Sequence, residues 1–460
     1  MADGQPLPEA RALWEVTAKI AKRTVRLTAP EIASFLVVFF ITKYDIVKSR
    51  NVKAYMITLG IETSCDETAL ALLETRGSGV AFECRVIASL VHSQAELHSA
   101  YGGVYPSLAK REHGKNLVPL LHKLLIEASD TLDKAESVSP KEKIGIQAFE
   151  QAMETFRTEI APQNPELYES FSNAGFLKNV PRIDRIAVTE GPGLEPALWV
   201  GINFARMLST LWNVPIVPVD HMEGHIVGSL LPSDATNGAW QKLFDASMPM
   251  LAFLISGGHT QLVKIAGLGE HEIIGETQDD AVGEAFDKAA RLLGLPYPGG
   301  PHLSLLAEKA RNEGIAAPVA LPRPMLRSGD LNFSFSGLKT AVLYAVRKAP
   351  KDADGALDPL WKNGLAREFE DAVTETLDKK LRMALDDTGA QSLIVGGGVS
   401  ANRMLREAFT KTAAEYGIPV FLPSRHISGD NALMIAVAGA LGSKEKAPMD
   451  LRANGTKRLD

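Results

Sequence analysis

Two imidazoles four positions apart, His221 and His225, stand in the segment VDHMEGH at the end of the apolar run VPIVPV. On a helix, four residues turn through about 400°, so both rings leave the same face and can share one metal ion. The alternative is a pair of histidines that merely cap and pack at a strand–helix junction. A zinc peptidase of the HExxH kind needs its glutamate immediately after the first histidine. Met222 holds that place here, and Glu223 lies about 200° around the helix.

Other groups capable of chemistry are spread along the chain. GDNA (429–432) puts Asp430 where a helix N-cap would stand, before the apolar run ALMIAVAGAL. Its other possible role is as a third ligand beside His221 and His225, a set that suits iron(II) or zinc and leaves coordination positions open. Spacing alone does not decide between the two. ETSCDET gathers Glu62, Asp66 and Glu67 around one turn, a place for acid–base work or water coordination. Cys65 has no histidine near it in sequence and reads as structural.

Two glycine turns offer backbone amides to a phosphate. ISGGHTQL (255–262) places Gly257 and Gly258 beside Ser256 between two strands. VGGGVSANR (395–403) joins a strand to a helix expected to start near Ser400, with Asn402 able to donate and accept. Neither GxGxxG nor the phosphate-loop signature occurs there. Asp287 and Lys288 read as an exposed ion pair. Lys110, Arg111 and Lys115, behind Tyr101 and Tyr105, can grip RNA or simply solvate a helix.

The elements that must position these groups alternate between strand and helix from Met56 onward, which implies α/β layers. MITLGIE and TALALLE flank the turn TSCDE; MLAFLIS and QLVKIAG flank GGHT. Two such hairpins point to two related halves, at 56–245 and 246–460, with the crossing near 237–248. A long helix is expected from about Arg111 to Ser129. The charged stretch 130–181 reads as a helical insertion on the surface. ETQDDAVGEAFDKAARLLGL reads as one helix; the last helix follows GDNA, and packing back on the first half is open to it.

The chain has 460 residues, 45% hydrophobic and 23% charged, which is ordinary for a globular protein of two or three domains. Its two cysteines exclude a disulfide framework and fit a reducing compartment. A net charge of −6 argues against wholesale coating of nucleic acid but leaves room for a local basic patch. Residues 1–55 read as an extension outside the functional core. Their apolar run, 32–41, is too short to cross a bilayer, and stable membrane insertion is not expected. The basic residues before it leave a membrane-surface or organelle-targeting role open.

The motifs GIETSCDET, HSAYGGVYPSLAKREH, EGPGL, DHMEGH, ISGGHTQL, GEAFDKAARLLGLPYPGGP, FSFSGLKTAV, GGGVSANR and GDNA occur in that order. Together they resemble the TsaD family of tRNA threonylcarbamoyltransferases, from Met56 to about Gly442. The resemblance implies an actin/Hsp70/sugar-kinase-like (ASKHA) fold: two ribonuclease-H-like halves with a nucleotide cleft between them. It implies transfer of threonylcarbamoyl from threonylcarbamoyl-AMP to the exocyclic amine of the tRNA adenosine 3′ to the anticodon. It assigns His221, His225 and Asp430 to a metal, iron(II) before zinc. Leu254, Ile255, Ser256, Gly257 and Gly258 match its adenylate-binding hairpin, and Asp287, Gly300 and Asn402 match further substrate contacts. Asp66 and Glu67 match acidic residues near the reaction. TsaB- and TsaE-like companions or a homodimer, and a cytoplasmic location, are further expectations. A metallopeptidase and a non-catalytic ATP-binding module are the alternatives. Departures from the family are the first 55 residues, the insertion, and a serine–glycine pair before Asp430.

Overall fold

Each half is organised by a sheet whose central strands are buried on both faces, as their near-continuous apolar sequences require. The computed structural model describes residues 55–77, 81–132, 144–232, 238–267, 269–442 and 444–459. The readings made for residues 1–54 and 133–143 lie outside them. In the first sheet, β1 (Met56–Glu62), β2 (Glu67–Arg76) and β3 (Glu83–Ser93) form an antiparallel meander. β4 (Arg185–Gly191) and β5 (Ile216–Asp220) extend it in parallel beyond β1. The short β6 (Gln241–Lys242), inside the stretch read as a crossing, pairs with β3 at the other edge.

The second sheet repeats the plan. β7 (Met250–Ile255), β8 (Thr260–Gly267) and β9 (Glu270–Glu276) form the meander. β10 (Ser392–Gly396) and β11 (Val420–Phe421) add in parallel beyond β7. The orders 5-4-1-2-3 and 11-10-7-8-9 therefore match strand for strand, including direction. That doubling of a ribonuclease-H-like half is the architecture of the actin/Hsp70/sugar-kinase class.

α1 (Ala95–Ser99) and α2 (Pro106–Leu132) follow β3. α2 begins five residues before the expected Arg111, because a proline at the first turn is compatible with a helix start. α3 (Ile146–Glu159), α4 (Pro165–Ser172) and α5 (Glu195–Trp212) complete the layer on this sheet. The described part of the stretch read as a surface insertion is not superficial. Phe149, Met153, Phe156, Leu167 and Phe171 enter the same core as Leu121, Phe204 and Trp212. Phe171 meets Phe156 and Phe204 edge-on, with centroids at 6.0 and 6.3 Å. Its surface charge hid an amphipathic face, and each such aromatic stabilises by about 1.5–3 kcal/mol.

In the second half, α7 (Val282–Leu292) starts later than ETQDDAVGEAF suggested, since Glu276 still belongs to β9. α8 (Gly299–Asn312), α9 (Ser336–Lys348), α10 (Pro359–Thr388) and α11 (Arg403–Glu415) cover this sheet. α12 (Ala432–Leu441) is the exception to the sequence order. It is almost wholly apolar and packs against the first sheet, on β1, β2 and β4. The fit is close: a Cβ on Gly60 would lie 2.2 Å from the Ala432 carbonyl oxygen, so only glycine fits there. Arg185, at the start of β4, donates from Nη1 to the carbonyls of Gly439 and Gly442 at 2.8 and 3.0 Å. A cation thereby satisfies the open end of the helix. No helix among the described residues is long and apolar enough to cross a membrane.

Candidate metal centre

α6 (His221–Gly228) carries the two histidines and begins where β5 ends. Asp220 caps it, accepting from the amides of Met222 and Glu223. Met222 and Ile226 face the second sheet, in one cluster with Leu254 and Ile394. Gly224 and Gly228 face Met434 and Ile435 of α12. Held on both sides, α6 turns the two rings toward the N-terminal end of α12. Asp430 stands there because α12 has crossed back to the first sheet.

Asp430 was read as a possible helix cap, and in the structure it is not one. Asn431 takes that role, accepting from the amide of Met434. The Asp430 carboxylate is thus free to face the imidazoles. Its Oδ1 lies 3.4 Å from His221 Nε2 and 3.2 Å from His225 Nε2. Ligand atoms about 2.0–2.1 Å from a tetrahedral ion stand about 3.3–3.4 Å apart, so the spacing fits one. The three donor atoms lie within 4.8 Å of one another. His225 Nε2 is buried without a well-formed hydrogen bond, as expected of a lone pair reserved for a cation.

Behind His221 stands a second carboxylate. Glu62, at the end of β1, is fully buried. Its Oε2 accepts from Thr189 Oγ1 at 2.6 Å and faces His221 Nδ1 at 3.1 Å, while its Oε1 accepts from the amide of Ser64. The bond assigns the Nδ1 proton to the Glu62 side and turns Nε2 toward Asp430, the tautomer a metal ligand needs. Desolvation opposes an imidazolium at His221, yet the charges of Asp430 and Glu62 outweigh it and raise its pKa well above the usual histidine range. Burial likewise opposes charge on Asp430, and the two histidines override it, holding the carboxyl far below its normal value. Without a cation, the centre therefore keeps a proton between two carboxylates.

Other expected residues fall into three groups. Asp66 and Glu67 occupy the turn into β2. Burial first, then Asp66, pushes the Glu67 carboxyl well above the carboxylate range. Burial and then Asp66 and Asp287 raise the Tyr297 hydroxyl, which sets the turn of the first half against the α7–α8 loop of the second. Cys65 is forced upward by burial and by Asp66, an inert thiol.

Gly257 and Gly258 form the β7–β8 turn, where an added Cβ on either would meet nothing within 4 Å. Both residues are exposed. Ser256 closes the turn through its amide and hydroxyl, both bonded to His259. Leu254 and Ile255 are fully buried in the cores, so their side chains face away from any adenylate. Gly397 shows why the second glycine turn must be glycine: at φ +89°, its Cβ would lie 2.4 Å from the Ile255 carbonyl oxygen.

Asp287 and Lys288 do not pair with each other. Asp287 accepts from the amides of Gly299 and Gly300 at 2.7 and 3.3 Å, pinning the start of α8. Lys288 pairs with Asp280 and Glu284. The helix expected near Ser400 is a 3-10 turn over Gly398–Ala401, and α11 starts at Arg403. Asn402 caps α11 and donates to Ser304 Oγ and Glu370 Oε1 at 2.9 and 2.7 Å. Both amide protons are engaged within the protein.

Sequence reasoning missed Thr189 and the link from Glu62 to His221. The one signal was a carboxylate ending an otherwise buried strand. It also passed over His113, buried between Thr68 Oγ1 at 2.8 Å and the Cys65 carbonyl at 3.0 Å. Burial pushes its pKa down to about 4, while an unfolded histidine titrates near 6.5. Between those values the unfolded chain binds more protons, so stability rises with pH across the window and levels off above it. For this group the window spans about 3 kcal/mol. Urea midpoints from pH 4.5 to 7.5 are expected to rise, less steeply in His113→Gln than in the unsubstituted protein.

Fold and site together define an actin-like α/β protein with a two-histidine, one-carboxylate cluster between its halves. The sequence matches the family model described as TsaD, tRNA N6-adenosine threonylcarbamoyltransferase, over residues 85–139 and 164–437. The unmatched stretch between these segments holds α3. A tRNA N6-adenosine threonylcarbamoyltransferase of Chromobacterium violaceum is 41% identical, covering 85% of this chain and 95% of its own. The protein of that name from Nitrosospira multiformis is 40% identical, over 84% of this chain and 91% of its own. The chain belongs to the TsaD family. It is an acyltransferase that places a threonylcarbamoyl group on the N6 amine of adenosine in tRNA.

Proposed function

We propose that the donor is threonylcarbamoyl-AMP and the acceptor is adenosine 3′ to the anticodon (position 37) in tRNAs that read codons beginning with adenine. The observation that carries this reading is the convergence of His221 Nε2, His225 Nε2 and Asp430 Oδ1 in front of a buried Glu62. These three side chains hold a divalent cation, iron(II) before zinc. Bound there, it supplies Lewis-acid polarisation of the acyl donor and stabilises charge on the departing phosphate. AMP is a good leaving group, so the chain's task is to orient a weak aromatic amine against the carbonyl, forming the N–C bond as the C–O bond to the phosphate breaks.

The protein's own groups do that. The exposed turn at Gly257 and Gly258 receives the adenylate phosphate, with Ser256 fixing that turn. Leu254 and Ile255 contribute through backbone only. Asp287 sets the position of Gly300 beside the ribose, and Asn402 holds the facing turn. The acidic turn of Asp66 and Glu67 supplies the acid–base group that takes the proton the attacking amine loses. The protein works in the cytoplasm, as a homodimer or with TsaB- and TsaE-like companions.

Incubating the protein with tRNA and the adenylate, with and without companions, tests this reading through the modified nucleoside. No modified adenosine under any combination would contradict it. The peptidase alternative requires Glu223 as its base. Glu223 lies beside Asp220 and within reach of Lys457 and Lys444, and burial raises its carboxyl. Glu223→Ala is expected to retain transfer within about threefold, since the nearest opposing charges are on the tail. Zinc-dependent proteolysis abolished by that substitution would favour the peptidase instead.

A further inference from the structure

The loop from Ser99 to Tyr105 exposes two aromatic rings that the reaction centre does not use. Tyr101 and Tyr105 are 64% and 54% exposed. Their rings stack on each other, with centroids 5.7 Å apart and planes 19° from parallel. Exposed phenols held in register by a rigid loop are what base stacking uses. The rigidity is visible in the backbone. His98 accepts from the amides of Tyr101 and Gly103 through its carbonyl, and from the amide of Tyr105 through Nδ1.

The loop is also tied to both halves of the site. Gln94, at its root, donates its amide to the carbonyl of Asp66 in the acidic turn. Arg291 of α7 reaches across from the second half to the Gly102 carbonyl at 3.4 Å. The tyrosine pair therefore stands where the two halves meet, on the side of Asp66 and Glu67. Cations for a phosphate stand on the adjoining helix. Lys110, Arg111 and Lys115 follow on α2, against Glu112 on that helix and Glu96 on α1. Arg111 and Lys115 share Glu112, and Lys110 makes no ion pair among the described residues.

The substrate supplies the need for such a platform. An adenosine in an RNA loop is stacked on its neighbours, and its amine reaches a buried centre only if the base leaves the stack. The base beside it then loses a stacking partner. We propose that Tyr101 and Tyr105 form a stacking platform for a base of the tRNA anticodon loop adjacent to the modified adenosine, with Lys110 and Arg111 on the flanking phosphates. This rests on the tRNA reading and adds where the RNA lies.

The test compares Tyr101→Ala and Tyr105→Ala with the corresponding Phe variants, in the full chain. An anticodon stem–loop RNA serves as the binding probe, and AMP as a control ligand. The Ala variants are expected to weaken RNA binding and raise the KM for tRNA about five- to a hundredfold, with kcat moving far less. The Phe variants keep the ring and should restore both, while AMP affinity and the melting temperature stay put. Lys110→Ala should flatten the salt dependence of RNA binding. Unchanged RNA affinity in both Ala variants would overturn the platform. Loss of association with a companion protein or second copy, at unchanged RNA affinity, would overturn it too and assign the face to a protein. An unsubstituted protein that binds no tRNA would instead count against the functional reading itself.

Discussion

Asp430→Ala is expected to abolish metal retention and lower threonylcarbamoyl transfer more than a hundredfold, while the protein stays folded. The loss of an outer partner of a metal ligand alone lowers affinity or activity by about 10–100-fold, so removing a ligand should exceed that. Survival of the fold follows from the local structure. Asn431, not Asp430, caps α12, and the helix is anchored by its own buried apolar faces and by Arg185 at its far end. Removing the carboxylate leaves His221 and His225 with two donors where the cluster has three. Metal content after gel filtration, the melting curve and nucleoside yield separate the three outcomes. Retained metal with lost activity would move Asp430 from ligand to some other role.

Glu62→Gln is the second large effect. The substitution keeps shape and an acceptor for His221 Nδ1 but removes the charge that makes the imidazole a strong donor. Metal affinity is expected to fall about 10–100-fold. Glu62→Leu should add instability, because the Thr189 hydroxyl and the Ser64 amide lose their acceptor; each buried orphan costs about 1–3 kcal/mol. The ordering Leu worse than Gln, in both chelator competition and urea unfolding, distinguishes an orienting carboxylate from a bystander. Equal affinity for Gln and the unsubstituted protein would show that His221 needs no partner behind it. The apo centre adds a linked expectation. Since His221 there carries a proton between two carboxylates, cation binding near pH 7 should release about one proton, measurable as a buffer-dependent heat.

What the sequence made legible was local. The spacing of His221 and His225 on one turn pair needs only the pitch of a helix. The two hairpins, each a strand, a short turn and a strand, led to the two sheets because antiparallel neighbours are close in sequence. The α/β class followed from the same alternation. What stayed hidden depended on contacts between distant segments. Asp430 reaches His221 because an apolar helix late in the chain settles on the first sheet, with Gly60 and Gly439 letting it approach. Adjacent acids and amides also traded roles. GDNA was read with Asp430 as a possible cap, and only the three-dimensional setting shows that Asn431 caps while Asp430 faces the rings. Nor did the sequence show that the Asn402 amide protons hold Ser304 and Glu370. The helices at 144–172 looked superficial because charged and polar residues are interspersed along them, although a stripe such as Phe149, Met153 and Phe156 suffices to bury a helix.

The claim on which the account turns is that a cation clamped by His221, His225 and Asp430 drives acyl transfer to tRNA. The most direct measurement strips the protein with a chelator, reloads it anaerobically with iron(II) in graded amounts, and quantifies threonylcarbamoyladenosine in tRNA against bound metal. The account expects yield to climb with loading to one ion per chain, and no climb in the His221→Ala, His225→Ala protein. Full-rate transfer by the stripped protein, or by that double variant, would contradict it.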